Sequence, residues 1–221
     1  THGEPSRQNA HPHCDCTGRI AVVHNGTITN FHKLREQLTA EGHILASQTD
    51  TEVLPHLIEK YYDGDFVRAV DLTLDEVEGA YTMIAMMTGE PRLVAARKDS
   101  PLIIGIGDRE NYIASDVPAL LDYTSRVIYL EDGDLAVVTA DSVKLKNAGA
   151  GIVREEHKIL WSVQDAQKGG YEHFMLKEIH EQPKVIRDTL AEYISAAQPA
   201  ADLAGGGGLE DMLILASGTS Y

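Results

Sequence analysis

The chain has 221 residues, 43% of them hydrophobic and 24% charged, with 19 basic against 34 acidic side chains and a formal net charge of −15. That length holds one large domain or two small ones with a real core, and the acidic balance, with basic stretches short and scattered, excludes a binder of nucleic-acid backbones. No apolar run reaches the ~20 residues that span a bilayer, two cysteines make no disulfide scaffold, and with no signal peptide in view the expected setting is cytoplasmic. The chain opens at Thr1-His2-Gly3 without an initiator Met and stops at Tyr221, soon after an apolar run. Both ends read as cut.

The first apolar run, Ile20 to Val23, reads as a buried strand ending at His24-Asn25-Gly26. Asn-Gly is a frequent pair where the backbone turns with positive φ. A plain turn explains it, and so does an amide and a glycine N–H set to hold an oxyanion. Asn30 to Glu41 follows as a helix, with Asn30 as N-cap, Phe31, Leu34 and Leu38 on one face, and Gly42 at the exit. Ile44 to Ala46 reads as a short strand. Thr49-Asp50-Thr51-Glu52 resembles a capping box for a helix reaching about Tyr62. Pro55 argues that the regular helix starts near Thr51, which leaves Asp50 at its mouth. A further helix covers Phe66 to Val77.

The rhythm then changes. Ala80–Met87, Arg92–Arg97, Leu102–Ile106, Tyr112–Ala114, Arg126–Leu130, Leu135–Thr139, Val143–Lys146 and Lys158–Trp161 are short, apolar and bounded by turn residues. That is an antiparallel pattern. With the helices before it, an α+β domain follows, a two-sheet sandwich with helices outside. A long helix from Glu172 to Ala196 comes next, its face set by Phe174, Ile179, Val185, Ile186, Leu190 and Ile194, with Pro183 expected to kink it. Gln198 to Gly208 has linker composition. Met212 to Ala216 reads as a buried strand before the small donor-rich turn Gly218-Thr219-Ser220, as phosphate-binding α/β domains begin.

"HPHCDC" is dense in metal ligands, and His11, His13, Cys14, Cys16 and His24 together invite a metal reading. Zinc knuckles space their cysteines by two to four residues and bring a second ligand pair from elsewhere. No such pair is evident, so a polar hydrogen-bonded loop and no metal is the expectation. Thr1 could act as an N-terminal nucleophile if its amine were free, but nothing after it supports that.

Taken together, eight segments resemble one family. "THGEPSRQNAHPH", "VVHNGTITNF", "SQTDTEV", "ARKDSPLIIGIG", "YIASDVPALL", "VIYLEDGD", "KGGYEHFMLKEIHEQP" and "ILASGTSY" occur in that order. They are similar to the glutamine–fructose-6-phosphate aminotransferases, along nearly the whole chain. The resemblance implies an N-terminal-nucleophile hydrolase, a four-layer αββα sandwich, incomplete here at its N-terminus, which hydrolyses the amide of glutamine. It implies residues 1–196 as this glutaminase domain, 197–208 as a linker, and 209–221 as the first strand of an α/β sugar isomerase domain. It assigns Asn25 and Gly26 to the oxyanion hole. Thr1, His2, Gly26 and Asp50 would bind glutamine, with Asp50 on its α-ammonium and Thr1 and His2 near its α-carboxylate. Thr219 and Ser220 would begin a sugar-phosphate loop. No cofactor is implied. The partners would be glutamine, fructose 6-phosphate through domains this chain lacks, and a second copy in a homodimer.

The family's nucleophile is an N-terminal Cys upstream of "THGEPS", so these residues alone are expected to be inactive. Cys14 and Cys16 are internal and have no free α-amine. Two rivals follow: a glutaminase-like module that only binds, or another class-II amidotransferase, making phosphoribosylamine or asparagine. The "KGGYEHFMLKEI" and "GTSY" segments argue against the latter.

Overall fold

The computed structural model describes residues 3–160 and 170–195, the last five of these in their backbone only. The chain divides into two units, Thr1–Ala166 and Gln167–Tyr221. Thr1, His2, Trp161, Ala196, the linker at 197–208, and the 209–221 segment with Thr219 and Ser220 lie outside the described residues.

The first unit runs β1 (His13–Cys14), β2 (Ile20–Ile28), α1 (Phe31–Ala40), α2 (Val53–Tyr61), α3 (Phe66–Glu76), β3 (Gly79–Met87), β4 (Leu93–Lys98), β5 (Ile103–Ile106), β6 (Asn111–Ala114), a 3-10 turn (Val117–Ala119), β7 (Arg126–Tyr129), β8 (Asp134–Val138), β9 (Val143–Asn147), β10 (Ala150–Ile152) and β11 (Glu156–Lys158). The strands form a seven-stranded sheet, β1-β2-β3-β4-β8-β9-β10, and a four-stranded sheet, β11-β7-β5-β6. All of their pairings are antiparallel.

Three apolar layers account for the stacking. Leu34, Leu38, Leu54, Leu57, Phe66 and Val70 from the helices close on Ile20, Val22, Met83, Ala85 and Val94 of the larger sheet. Ala95, Ala136, Val138 and Leu145 on the sheet's other side meet Leu102, Ile104 and Leu130 between the two sheets. Ile103 and Val127 form the outer face of the smaller sheet under Val117 and Leu120. The order of layers is therefore helix, sheet, sheet, and then, among the described residues of this unit, the 3-10 turn. The α+β sandwich of two antiparallel sheets is as expected from the sequence. The second unit holds α4 (Phe174–Ser195), which continues through Pro183. The sequence reading grouped this helix with residues 1–196.

Local departures have physical causes. β2 does not end at His24. It runs to Ile28, with Asn25 opposite Thr82 and Gly26 opposite Tyr81 on β3. Asn25-Gly26 is thus sheet, not turn. Gly26 has φ +134, and a Cβ there would lie 2.1 Å from the Ala80 carbonyl oxygen. Glycine is required by close approach of two strands rather than by a reversal.

Ile44 to Ala46 is not a strand. Its backbone donors go to side chains instead: Ala46 N–H to Glu52 Oε1 at 2.7 Å and Ile44 N–H to Cys16 Sγ at 3.5 Å. α2 begins at Val53, so Pro55 sits in the first turn, where a missing N–H costs no helical bond. Glu52 does not close a capping box; its Oε2 accepts from Ser47 N–H at 2.8 Å and Ser47 Oγ at 2.9 Å. The two-residue β1 and the three-residue β10 and β11 were not legible in the sequence; the strand expected from Lys158 shares only that residue with β11, Glu156–Lys158.

Candidate active site

β2 presents alternate residues to opposite faces. Ile20, Val22 and His24 are buried, while Val23 and Asn25 are exposed on the other side. Beyond α1, the loop from Ser47 to Glu52 returns to the end of β2. Asp50, only 4% exposed, accepts the Ile28 N–H on Oδ2 at 2.8 Å. That bond ties the loop's carboxylate to the strand that carries Asn25 and Gly26.

A pocket of about 220 Å³ results, lined by Asn9, His11, His24, Asn25, Gly26, Thr49, Asp50 and Thr51. A second hollow of about 430 Å³ shares His11, His24 and Asn25 with it. It extends to Thr82, Ser115 and Asp116. The fold therefore brings Asn25, Gly26 and Asp50 together in one pocket. Thr1, His2, Thr219 and Ser220 are not described. Neither Cys14 nor Cys16 lines the pocket.

Polar contacts, the innermost of them buried, hold the pocket wall. His24 Nδ1 pairs with Thr51 Oγ1 at 2.9 Å, and His11 Nε2 meets the same hydroxyl at 3.2 Å. His13 Nε2 lies 3.0 Å from Thr49 Oγ1, which in turn contacts Ser47 Oγ at 3.0 Å. Arg35 Nη2 donates to the Thr49 carbonyl at 3.2 Å. On the far side, Asn9 Oδ1 accepts from Gln48 N–H at 2.9 Å, and Asn9 Nδ2 donates to the Glu4 carbonyl at 2.8 Å. Residues 4–9 are thereby laced to the Asp50 loop.

Burial pushes the His11 imidazole below its ordinary value, against the pull of the Asp50 carboxylate. Burial also lowers His13, and neighbouring His11 lowers it further. Both rings are therefore neutral near pH 7 and act as hydrogen-bonding walls. The chemistry available is an amide donor and a glycine backbone on one side and a fixed carboxylate on the other. That suits a ligand with a polar carbonyl at one end and a cation at the other. Sequence reasoning missed Asn9, His11, His24, Thr49 and Thr51 as lining residues. For Asn9 and His11 the signal is the density of His and Asn in residues 8–13, which also reads as a metal-ligand-rich loop.

Residues 4–122 match the family model of the glutamine amidotransferase domain. The glutamine–fructose-6-phosphate aminotransferase (isomerizing) of Methanothermobacter thermautotrophicus is 50% identical over 224 residues, covering 100% of this chain and 38% of that protein. Its counterpart in Clostridium tetani is 53% identical over 196 residues, covering 88% of this chain and 32% of that protein. The chain thus spans between 32% and 38% of these two relatives. Among solved structures, the glutamine phosphoribosylpyrophosphate amidotransferase of B. subtilis superposes with a TM-score of 0.55 at 26% identity, covering 65% of this chain and 33% of that one. With the family model matching over more than half its length, the chain belongs to the glutamine amidotransferase domain family.

Proposed function

We propose that this chain is the glutaminase part of a glutamine–fructose-6-phosphate aminotransferase, and that its pocket binds glutamine for hydrolysis of the side-chain amide. The single observation that carries the reading is the meeting of Asn25, Gly26 and Asp50 in one pocket. Attack on an amide carbonyl puts negative charge on oxygen. Donors already in place there are worth about 3–4 kcal/mol in the transition state. Asn25 Nδ2 and the Gly26 N–H take that role. Asp50 holds the α-ammonium of glutamine, and Thr1 and His2 its α-carboxylate. Neither cysteine of this chain reaches the pocket, so the attacking thiol is not Cys14 or Cys16.

The ammonia released serves the conversion of fructose 6-phosphate to glucosamine 6-phosphate in the complete protein. Residues 209–221 open its sugar isomerase part, where Thr219 and Ser220 contact the sugar phosphate. The complete enzyme works as a cytoplasmic homodimer. The resemblance in the "KGGYEHFMLKEI" and "GTSY" segments supports this assignment over the phosphoribosylamine- and asparagine-forming enzymes.

The test is kinetic and uses the complete protein. Asn25→Ala should lower kcat for glutamine hydrolysis by ~10²-fold or more with little change in KM, because the donor acts mainly in the transition state. Asp50→Asn should chiefly raise KM, because its partner charge is present in substrate and transition state alike. Synthesis driven by added ammonia should survive both changes. If Asn25→Ala moves only KM, or Asp50→Asn leaves KM untouched, these roles are wrong.

A further inference from the structure

Away from the pocket, three distant segments converge on one point. Cys16 follows β1, His43 follows α1, and His56 and Glu59 stand one turn apart on α2. Cys16 Sγ lies 3.6 Å from His43 Nδ1 and 3.4 Å from His56 Nδ1. The two Nδ1 atoms are 3.3 Å apart. Glu59 Oε2 lies 3.0 Å from His43 Nδ1 and 3.5 Å from His56 Nδ1. All four donor atoms fall within 4.8 Å of one another.

These edges are those of a coordination tetrahedron. Bonds of about 2.3 Å to sulfur and about 2.05 Å to nitrogen, at the tetrahedral angle, put sulfur about 3.5 Å from nitrogen and two nitrogens about 3.3 Å apart. The observed separations agree with both. The donor set also fits one kind of ion. A thiolate and two imidazoles select a borderline-soft transition metal over calcium or magnesium. One thiolate and one carboxylate neutralise a divalent charge. The cysteine is supported as metal-bound thiolates are, because its sulfur accepts the Ile44 N–H at 3.5 Å. The carboxylate is oriented by the Cys16 N–H, which donates to Glu59 Oε2 at 3.2 Å.

We propose that Cys16, His43, His56 and Glu59 form a structural zinc site. Four protein ligands close the coordination shell, so the ion has no open position for substrate. Its work is to staple the loop after β1 and the connection after α1 to α2. That connection leads into the Asp50 loop, so the ion braces the frame of the pocket without entering it. The ligand sets that sequence reading sought around Cys14 and Cys16 were local. The actual partners of Cys16 lie 27, 40 and 43 residues away. Cys14 does not belong to the cluster.

The experiment is metal analysis of the chain expressed with zinc in the medium and passed through gel filtration. About one zinc per chain is expected, as a closed four-ligand site requires. Cys16→Ser and His56→Ala should each cut the zinc content several-fold, while Cys14→Ser keeps it. Cobalt exchanged for zinc should give the intense visible bands of a tetrahedral ion and a thiolate charge-transfer band. The latter should vanish in Cys16→Ser and persist in Cys14→Ser. Far-UV circular dichroism separates loss of metal from loss of fold. Because Cys16 is exposed, its serine variant is the decisive one if His56→Ala does not fold. A folded chain that retains neither zinc nor cobalt overturns the proposal, as does equal loss of metal in the Cys14 and Cys16 variants.

Discussion

At the scale of single residues, Gly26 shows how a local signal can be right in identity and wrong in reason. Asn-Gly announced positive φ, and Gly26 has it. Yet the residue lies inside β2, opposite Tyr81, where the strands come too close for a side chain. Gly79 on β3 repeats the pattern, with a Cβ placed 2.1 Å from the Thr27 carbonyl oxygen. A sequence records that a position needs glycine, but not whether a turn or a neighbouring carbonyl imposes it. Gly26→Ala should therefore destabilise the chain by about 2 kcal/mol or more, since it adds left-handed strain to a backbone clash. Urea denaturation measures this directly, and an unchanged midpoint would show that the strands can part at no cost. Asp50 was legible as a carboxylate at the mouth of a helix. Its anchor, the Ile28 N–H, was not, because a backbone donor carries no side-chain signature.

Among the elements, the helix starts divide into two kinds that look alike in sequence. Asp65 accepts Val67 N–H at 3.1 Å and Arg68 N–H at 3.2 Å on Oδ1, and so caps α3 in the ordinary way. Asn30 stands at the N-cap of α1 but makes no cap bond with its side chain. It donates to the Glu76 carbonyl at 2.8 Å and accepts Glu78 N–H at 3.1 Å, joining the β2–α1 corner to the α3–β3 corner. Asp65→Ala should cost about 1 kcal/mol. Asn30→Ala should cost a similar amount, but by a different route. Hydrogen exchange should show faster opening at Glu78 and the start of β3 in the Asn30 variant, and at Val67 and Arg68 in the Asp65 variant. If both variants loosen only their own helix starts, the bridging role of Asn30 fails. The strands of the sandwich were legible because alternating apolar residues and Gly or Asp turns follow from burial of one face. β1, β10 and β11 were not, since two or three residues hold no period.

For the whole molecule, the fold class could be read from the sequence, but the pocket could not be assembled from it. Residues 9–11, 24–26 and 49–51 meet because β1 pairs with β2 and the Ile28 N–H at the end of β2 holds the Asp50 loop. That assembly makes the chain sensitive to acid, and His13 shows why. It is 5% exposed, sits on β1 against Thr49, and has its imidazole pushed below the ordinary value by burial and by His11. The unfolded chain takes up a proton near pH 6.5. The folded chain refuses that proton until the pH has fallen further. Between the two values the unfolded state binds more protons, so stability rises with pH and is lost as pH falls. The slope is at most about 1.4 kcal/mol per pH unit for one such proton. Asp15 and Asp134 act in a lower window. Burial alone would raise both, but the Thr17 hydroxyl and Ile20 N–H hold Asp15 below the usual carboxylate range, and Arg154 and Asn147 do the same for Asp134. Their contribution is lost only as pH falls through those depressed values. Unfolding free energy from urea titrations should therefore be level above pH 7, decline from about pH 6.5 downward, and decline again in the carboxylate range. His13→Gln, compared with the parent chain at each pH, should flatten the upper decline by about one proton's slope and leave the lower one in place. The difference between the two curves removes the contribution of every other titrating group common to both. Parallel curves from pH 7 to pH 5 would mean that His13 is protonated as readily in the folded chain as in the unfolded one.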